Sequence, residues 1–366
     1  MYLRKDKFSN FDKKIMRFAI GLANNNKGLT GTNPSVGCVI VKNKKIISFG
    51  STNLNGRPHA ETIALSKNKK ENFGSTMYLT LEPCTHYGKT PPCTKSIIKS
   101  KIKNVYYSSE DPDIRTYKKS KKILKLKKIN VKSNLLINDT KKLYKSYNFV
   151  KKNNFPYLTG KLACSSNFYI LKNNSFITNS HSRKVSHLLR YENNGILTSY
   201  KTINNDNPRL NCRLNGLEKF SPTRVIIDKY LRINTNSYVV NSSKKTKTFI
   251  IYNKSNNKKI KYLKKKGVKL IYLDIDTNEY FDLKKVFKKI YSLGIHKLLV
   301  ECGKDLTMKI LSKKFFNEFY LFKSNKKLIN KDKININNIV KELDKNYKNK
   351  KYVKTFLDKD SLIQYY

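Results

Sequence analysis

Residues 81–93 read LEPCTHYGKTPPC, and upstream of them stands His59-Ala60-Glu61. Met77 to Leu81 (MYLTL) has the pattern of a strand, Pro83-Cys84 opens a loop behind it, and Cys93 falls where a helix, Cys93 to Lys99, is predicted to start. His59 likewise opens a predicted helix running through Ile63 and Leu65. One imidazole and two thiols, each at the start of an element, make three metal ligands. A catalytic zinc takes three protein ligands and keeps a fourth position for water, whereas a structural zinc is closed by four. Thiolates near helix N-termini have a lowered pKa, because unpaired N–H groups and the helix dipole favour negative charge.

Glu61 lies two residues after His59, near the metal without being needed as a ligand. Water on such a metal reaches a pKa of about 7. A carboxylate beside it can take the proton, hold it and deliver it to a leaving amine. His-x-Glu followed by Pro-Cys and a second Cys is the zinc-deaminase signature. A structural zinc site would need a fourth ligand, for which His86 is the nearby candidate, so the motif favours catalytic zinc on His59, Cys84 and Cys93 with Glu61 as proton carrier.

The flanking sequence supplies a layered α/β frame for this motif. Phe11 to Lys27 places Phe11, Ile15, Phe18, Ala19 and Leu22 on one helical face, with Gly28 as a stop. Val36 to Val41 (VGCVIV) reads as a buried strand, Asn43-Lys44 as a turn and Lys45 to Phe49 as the returning strand. Asn104 to Ser108 is a further strand. The Lys-dense stretch from Tyr117 to Lys132, carrying Ile123, Leu124, Leu126 and Ile129, is one more helix with a solvated face. Phe149 to Phe155, followed by Pro156, marks a boundary, dividing the chain into residues 1–150 and 151–366. In the second part we expect strands at Tyr157 to Cys164, Gly195 to Ser199, Arg224 to Asp228, Thr248 to Tyr252, Val268 to Leu273, Lys297 to Glu301 and Phe319 to Phe322. The predicted helices there are Ser182 to Tyr191, Leu283 to Ser292 and Leu306 to Lys313, which makes a second α/β domain. The tail from Asn325, rich in Lys and Asn, carries no clear pattern, and no internal repeat is present.

Composition narrows the class. The chain has 366 residues, enough for two cores, and its Gly and Pro contents exclude a collagen-like or low-complexity chain. No apolar run is long enough for a membrane span, and the first residues lack a signal-peptide core, which points to the cytoplasm. Six Cys in so long a chain are too sparse for a disulfide framework; Cys38, Cys164, Cys212 and Cys302 read as packing residues. Lys and Arg number 77 against 25 Asp and Glu, a formal charge of +52. Such a balance suggests nucleic acid. Yet only ten of those cations are Arg, the residue suited to bidentate phosphate contacts, and the Lys are spread among Asn, Ile and Tyr, as coding-sequence bias would leave them. Nucleic acid is therefore disfavoured as a partner, and a phosphorylated small molecule, drawn in by the positive field, is favoured.

The stretches NPSVGCVIV from Asn33, HAE from His59, LEPCTHYGKTPPC from Leu81 and DPD from Asp111 closely resemble the deaminase half of the bifunctional riboflavin-biosynthesis deaminase and reductase family. The long loop between the cysteines distinguishes it from nucleic-acid deaminases, which commonly show P-C-x-x-C. The resemblance implies a cytidine-deaminase-like fold, zinc on His59, Cys84 and Cys93, Glu61 as the catalytic proton shuttle, and a ribosylaminopyrimidine 5′-phosphate substrate with Asn33 near the pyrimidine. The glycines that the family carries after the DP motif are missing from Thr116 to Ser120.

From residue 156 to 322 the likeness is thinner. No G-x-G occurs, so the residues alone do not propose a dinucleotide. Lys161-Leu162-Ala163, Phe176-Ile177-Thr178, Leu189-Arg190, Thr202, Asp206 to Leu210, Arg213, Arg224 to Asp228 and Val300-Glu301-Cys302-Gly303 follow the motifs of the family's reductase half. The resemblance implies a dihydrofolate-reductase-like α/β domain that uses NADPH to reduce the ribosyl group to ribityl. It also implies cofactor binding at Ala163, Thr202, Asp206 and Gly303 and substrate binding at Arg190, Leu210, Arg213 and Glu301. Both arginines suit a phosphate, since a guanidinium offers two parallel charge-assisted hydrogen bonds.

Ser165-Ser166-Asn167-Phe168 replaces a turn-forming Asp-Gly of the family, so the turn should be rebuilt, and the segment before Phe176 is shorter. A decayed second domain, leaving only a deaminase, is the alternative; a nucleic-acid deaminase and a binding module with structural zinc rank lower. A homo-oligomer is compatible with the sequence.

Overall fold

The computed structural model describes residues 8–171, 176–329 and 333–366. The chain divides into two compact units, Met1–Asn154 and Phe155–Tyr366. In the first, helix α1 (Asn10–Asn25) starts at a capping box. Ser9 Oγ accepts from the Asp12 backbone N–H, and the Asp12 carboxylate accepts from that of Ser9. There follow β1 (Gly37–Lys42), β2 (Lys45–Ser51), α2 (Ala60–Lys67), β3 (Thr76–Leu81), α3 (Cys93–Lys99), β4 (Asn104–Ser109), α4 (Lys119–Leu126), β5 (Asn130–Ser133), α5 (Ile137–Leu143) and α6 (Lys145–Asn153).

The sheet order is β2-β1-β3-β4-β5, with β1 antiparallel to β2 and β3, and β3, β4 and β5 parallel. The unbroken apolar run of β1 follows from its central place, where both faces are covered. Its neighbours reach close through glycines: a Cβ on Gly37 would lie 1.9 Å from the Ala19 carbonyl oxygen of α1, and one on Gly50 would lie 2.6 Å from the Ala60 carbonyl oxygen of α2.

Three expectations change here. The helix expected over Tyr117 to Lys132 ends at Leu126, and Asn130–Ser133 is the edge strand β5. The buried face of α1 is Ile15, Met16, Ala19 and Ala23, while Phe18 turns outward, 41 % exposed, with its ring edge-to-face on Phe49. Leu126 of α4 is also exposed, and Leu124 carries that helix's packing.

The second unit contains β6 (Tyr157–Cys164), β7 (Tyr169–Leu171), α7 (Ser180–Glu192), β8 (Gly195–Ser199), α8 (Tyr200–Asp206), β9 (Thr223–Ile227), α9 (Tyr238–Asn241), β10 (Thr248–Tyr252), α10 (Asn257–Lys265) and β11 (Lys269–Tyr272). It continues through α11 (Leu283–Ser292), β12 (Lys297–Val300), α12 (Lys304–Ser312), β13 (Glu318–Lys323), β14 (Lys333–Asn335), α13 (Asn337–Asn346), β15 (Lys350–Tyr352) and β16 (Ser361–Tyr365). Nine strands form one sheet, β11-β10-β9-β8-β12-β6-β13-β16-β15, parallel from β11 to β13 and antiparallel across β13/β16 and β16/β15; β14 pairs with β7.

Period-two alternation divides the core between the two faces. Leu197, Val225, Ile251 and Leu298 pack with Val286 and Phe287 of α11 and Ile310 of α12. Their sequence neighbours Ile196, Ile226, Ile250 and Leu299 pack with Leu189 of α7 and Leu263 of α10. The unpatterned tail thus supplies two strands and a helix that complete the sheet and its cover.

The turn at Asn167-Phe168 is not rebuilt as expected. Phe168 itself takes the left-handed conformation, φ 59°. The turn holds it there: Phe168 N donates to the Ser165 carbonyl at 3.1 Å and Tyr169 N to Ser165 Oγ at 3.0 Å, while Asn167 Nδ2 ties the turn to the Leu328 carbonyl at 3.0 Å. The shorter segment before Phe176 falls at 172–175, outside the described residues.

Candidate active sites of the two units

In the first unit, His59 occupies the N-cap place of α2 and Cys93 is the first residue of α3. Cys84 sits in the loop that leaves β3. His59 Nδ1 lies 3.3 Å from Cys93 Sγ and 3.7 Å from Cys84 Sγ, and the Cys93 backbone N–H donates to Cys84 Sγ at 3.2 Å. The three ligand atoms lie within 4.8 Å of one another; no other group of His, Cys, Asp and Glu among the described residues converges in this way. Hydrogen bonding from Cys93, then from His59, pushes the Cys84 thiol down to about 4. A thiolate beside an imidazole and a second thiol is a soft N/S donor set that fits zinc. His86 does not close the site: its Nδ1 pairs with Thr116 Oγ1 at 3.1 Å. Glu61, in the first turn of α2 and 4 % exposed, is pushed above the usual carboxylate range by burial.

These groups face a cavity of about 290 Å³. Asn33 lines it, with Nδ2 on the Gly56 carbonyl at 3.1 Å; Gly56, at φ 83°, leaves no room there for a Cβ. Sequence reading missed Tyr147 and Lys151, which also line it. They stand i, i+4 on α6, and Tyr147 donates to Asp111 Oδ1 at 3.0 Å. That spacing was the available signal.

Glu82, buried between the strand and the metal loop, accepts from the backbone N–H groups of Asp111, Lys118 and Ser120 and from Ser120 Oγ at 2.7 Å. It fastens the segment that lacks the glycines after the DP motif, where Lys118 takes φ 57°.

In the second unit, Glu301 follows β12 and Arg190 ends α7. Arg190 Nε and Nη2 donate to the two oxygens of Glu301 at 2.8 and 2.9 Å, and Nη1 donates to the Asn211 carbonyl at 3.2 Å. The two-pronged edge expected to hold a phosphate is thus occupied, because a carboxylate this deep needs a partner. Burial alone would raise Glu301, but Arg190 and Lys161, 3.7 Å away, outweigh it and hold the carboxyl at about 2. Leu210 is buried at φ 49°; Arg213 is exposed, with Nη1 on Asn211 Oδ1 at 2.9 Å. The structure brings Arg190, Glu301 and the 210–213 segment together.

Ala163 is half-buried near the end of β6, and Thr202 Oγ1 lies 3.4 Å from Ser199 Oγ behind β8. Asp206 ends α8, its carboxyl raised by burial. Gly303 takes the N-cap place of α12 with no side chain on the helix's first N–H groups. Buried Thr198 Oγ1, at the same end of β8, has no hydrogen-bond partner among the described residues. An open helix start and an orphan hydroxyl at the carboxyl end of parallel strands fit a dinucleotide.

Residues 9–109 match the cytidine and deoxycytidylate deaminase zinc-binding region, and residues 169–326 match the RibD C-terminal domain. Over 319 residues the chain is 35% identical to the riboflavin biosynthesis protein RibD of Aquifex aeolicus, covering 85% of this chain and 86% of the relative. The chain belongs to the RibD family. RibD of Acinetobacter baumannii superposes with a TM-score of 0.84 at 25% identity, over 97% of this chain and 98% of that one. The diaminohydroxyphosphoribosylaminopyrimidine deaminase/5-amino-6-(5-phosphoribosylamino)uracil reductase of Thermotoga maritima gives 0.78 at 26%, over the same shares. In this chain a zinc-binding deaminase domain precedes a dihydrofolate-reductase-like RibD reductase domain that uses NADPH. Among the described residues no helix is long and apolar enough to cross a membrane.

Proposed function

We propose that His59, Cys84 and Cys93 hold one zinc ion, that Glu61 carries the protons of a deamination there, and that Arg213 and the groups beside Glu301 bind the product for reduction. As a RibD, the chain is a bifunctional deaminase and reductase of riboflavin biosynthesis acting on a small phosphorylated pyrimidine. The substrate is 2,5-diamino-6-ribosylamino-4(3H)-pyrimidinone 5′-phosphate, which loses an amino group before its ribosyl becomes ribityl. Zinc supplies a Lewis acid that makes water acidic. Glu61, poised by burial nearer neutral pH, takes a proton from the attacking water and returns one to the departing ammonia. Asn33 orients the ring from the cavity wall.

In the second unit NADPH supplies the hydride, and Ala163, Thr202, Asp206 and Gly303 would hold it. Arg190, fixed by Glu301, positions the 210–213 segment, which leaves Arg213 free to meet the phosphate, while Leu210 anchors that segment in the core. We also place the chain in the cytoplasm, since its six cysteines are unpaired and two of them must stay reduced to bind zinc.

The convergence of His59, Cys84 and Cys93 beside buried Glu61 carries this reading. The test is incubation with the diaminopyrimidine ribotide, with and without NADPH, following ammonia and NADPH absorbance separately. We expect ammonia without NADPH and coupled oxidation when it is added. Ammonia with no NADPH oxidation would limit the chain to deamination.

A further inference from the structure

The cavity of the first unit is graded in charge. Its floor carries His59, Cys84 and the buried carboxyls of Glu61, Glu82 and Asp111, whereas its rim carries Arg57, Lys89, Arg115 and Lys151. Two of these rim cations share a built support. Asp113, 8 % exposed, accepts from Arg115 Nε at 2.9 Å and Nη2 at 2.6 Å, and from Lys151 Nζ at 3.0 Å. The Arg115 pairing, more than the Lys151 one, holds the Asp113 carboxyl well below the usual range, so the anion is always present to aim both cations. Lys151 comes from α6, which puts Tyr147 onto Asp111 one turn earlier, so a single helix face reaches both floor and rim.

A guanidinium has five N–H groups and an ammonium three. Asp113 uses two of the former and one of the latter, and the rest of each head group has no other hydrogen-bond acceptor among the described residues. Two cations against one carboxylate leave a net positive charge, to which Lys89 and Arg57 add. Arg57, whose Nη1 donates to Thr90 Oγ1, also braces the loop between the two cysteines. A phosphate monoester carries about −1.5 to −2 charge and three strong acceptor oxygens. A flat, weakly charged ring fits the floor and a dianion fits the rim.

We propose that Arg115 and Lys151, aimed by Asp113, bind the substrate's phosphate during deamination and so set the first unit's preference for a ribotide over the dephosphorylated nucleoside. This rests on the deaminase reading above. The full-length, zinc-loaded chain and its variants R115M and K151M are assayed for ammonia release from the diaminopyrimidine ribotide and from its dephosphorylated nucleoside. Each variant should raise the KM for the ribotide about tenfold, leave kcat near wild type and leave the nucleoside's KM unchanged. Both side chains are partly exposed, 55% and 30%, so the zinc content should stay at the wild-type level. Unchanged discrimination, or equal losses on both substrates, overturns the proposal.

Calorimetric titration with ribose 5-phosphate separates its failure from that of the deaminase reading. R115M/K151M should bind one equivalent fewer than the wild type even if neither substrate releases ammonia. Equal stoichiometry overturns the inference by itself.

Discussion

Lys118 and Asp111 of the first unit are among the residues where backbone or charge runs against ordinary preference. Lys118 takes φ 57° just before α4, in the segment where the family's glycines are missing, and no side-chain cap compensates it. A left-handed non-glycine residue costs about 1–2 kcal/mol, part of which glycine returns as flexibility of the unfolded chain. Lys118→Gly should therefore stabilise the protein by about 0.5–1 kcal/mol in urea unfolding; a loss would show that the Lys118 ammonium, 5.0 Å from the Tyr117 ring, matters more than the backbone.

Asp111 is the second case. Burial raises its carboxyl to about 6 from 3.8, despite hydrogen bonds from the Asp113 backbone and Tyr147. Between those two values the folded state holds a proton that the unfolded state has released, so stability falls as pH rises through that window and the full benefit exists only below it. Asp111→Asn keeps the Oδ1 acceptor and removes the titration. Its stability relative to wild type should rise between pH 4 and pH 7 by at most about 3 kcal/mol. Comparing the two chains at each pH cancels the common effect of zinc release, and a flat difference would place Asp111 outside this account.

At the scale of elements, the site depends on how closely α2 lies on β2. A Cβ on Gly50 would meet the Ala60 carbonyl oxygen at 2.6 Å and the Ala64 nitrogen at 2.9 Å, both backbone atoms that move only with the helix. Since α2 brings His59 and Glu61, Gly50→Ala should cost about 3 kcal/mol and also weaken zinc retention against a chelator. A stability loss with wild-type zinc retention would mean that the helix start is held by the metal loop instead.

Legibility divided along similar lines. Apolar β1, β3, β8, β10 and α11 were readable because their periodicity is undiluted, and the three metal ligands were readable because each opens or follows an element. The helices α6 and α10 were not: α10 reads NKKIKYLKK with only Leu263 fully buried, and its signal is lost among lysines. Missing α6 hid Tyr147 and Lys151. No pattern in sequence could show that Arg190 spends its fork on Glu301, because that pairing joins residues far apart along the chain.

For the whole molecule, the charge of +52 and the weakly patterned tail pose the same question: how much of a Lys- and Asn-rich sequence is structural? Among the described residues of the tail the lysines are exposed or half-buried, and a thin set of apolar residues does the packing. Leu362 and Tyr365 of β16 and Ile339 and Leu343 of α13 are buried against strands and helices laid down earlier in the chain. Without β16, the edge of β13 would also lose its antiparallel partner from Phe319 to Lys323. At about 1.5–3 kcal/mol for each large apolar side chain buried, these four approach the whole stability of an ordinary domain, about 5–15 kcal/mol. A chain ending at Lys327 should therefore lose the second unit's fold and not merely its margin. NADPH fluorescence should show no binding, and limited proteolysis should cut throughout 155–327. Retained cofactor binding would mean that β6 to β13 suffice alone and that the tail is a cover added to a finished sheet.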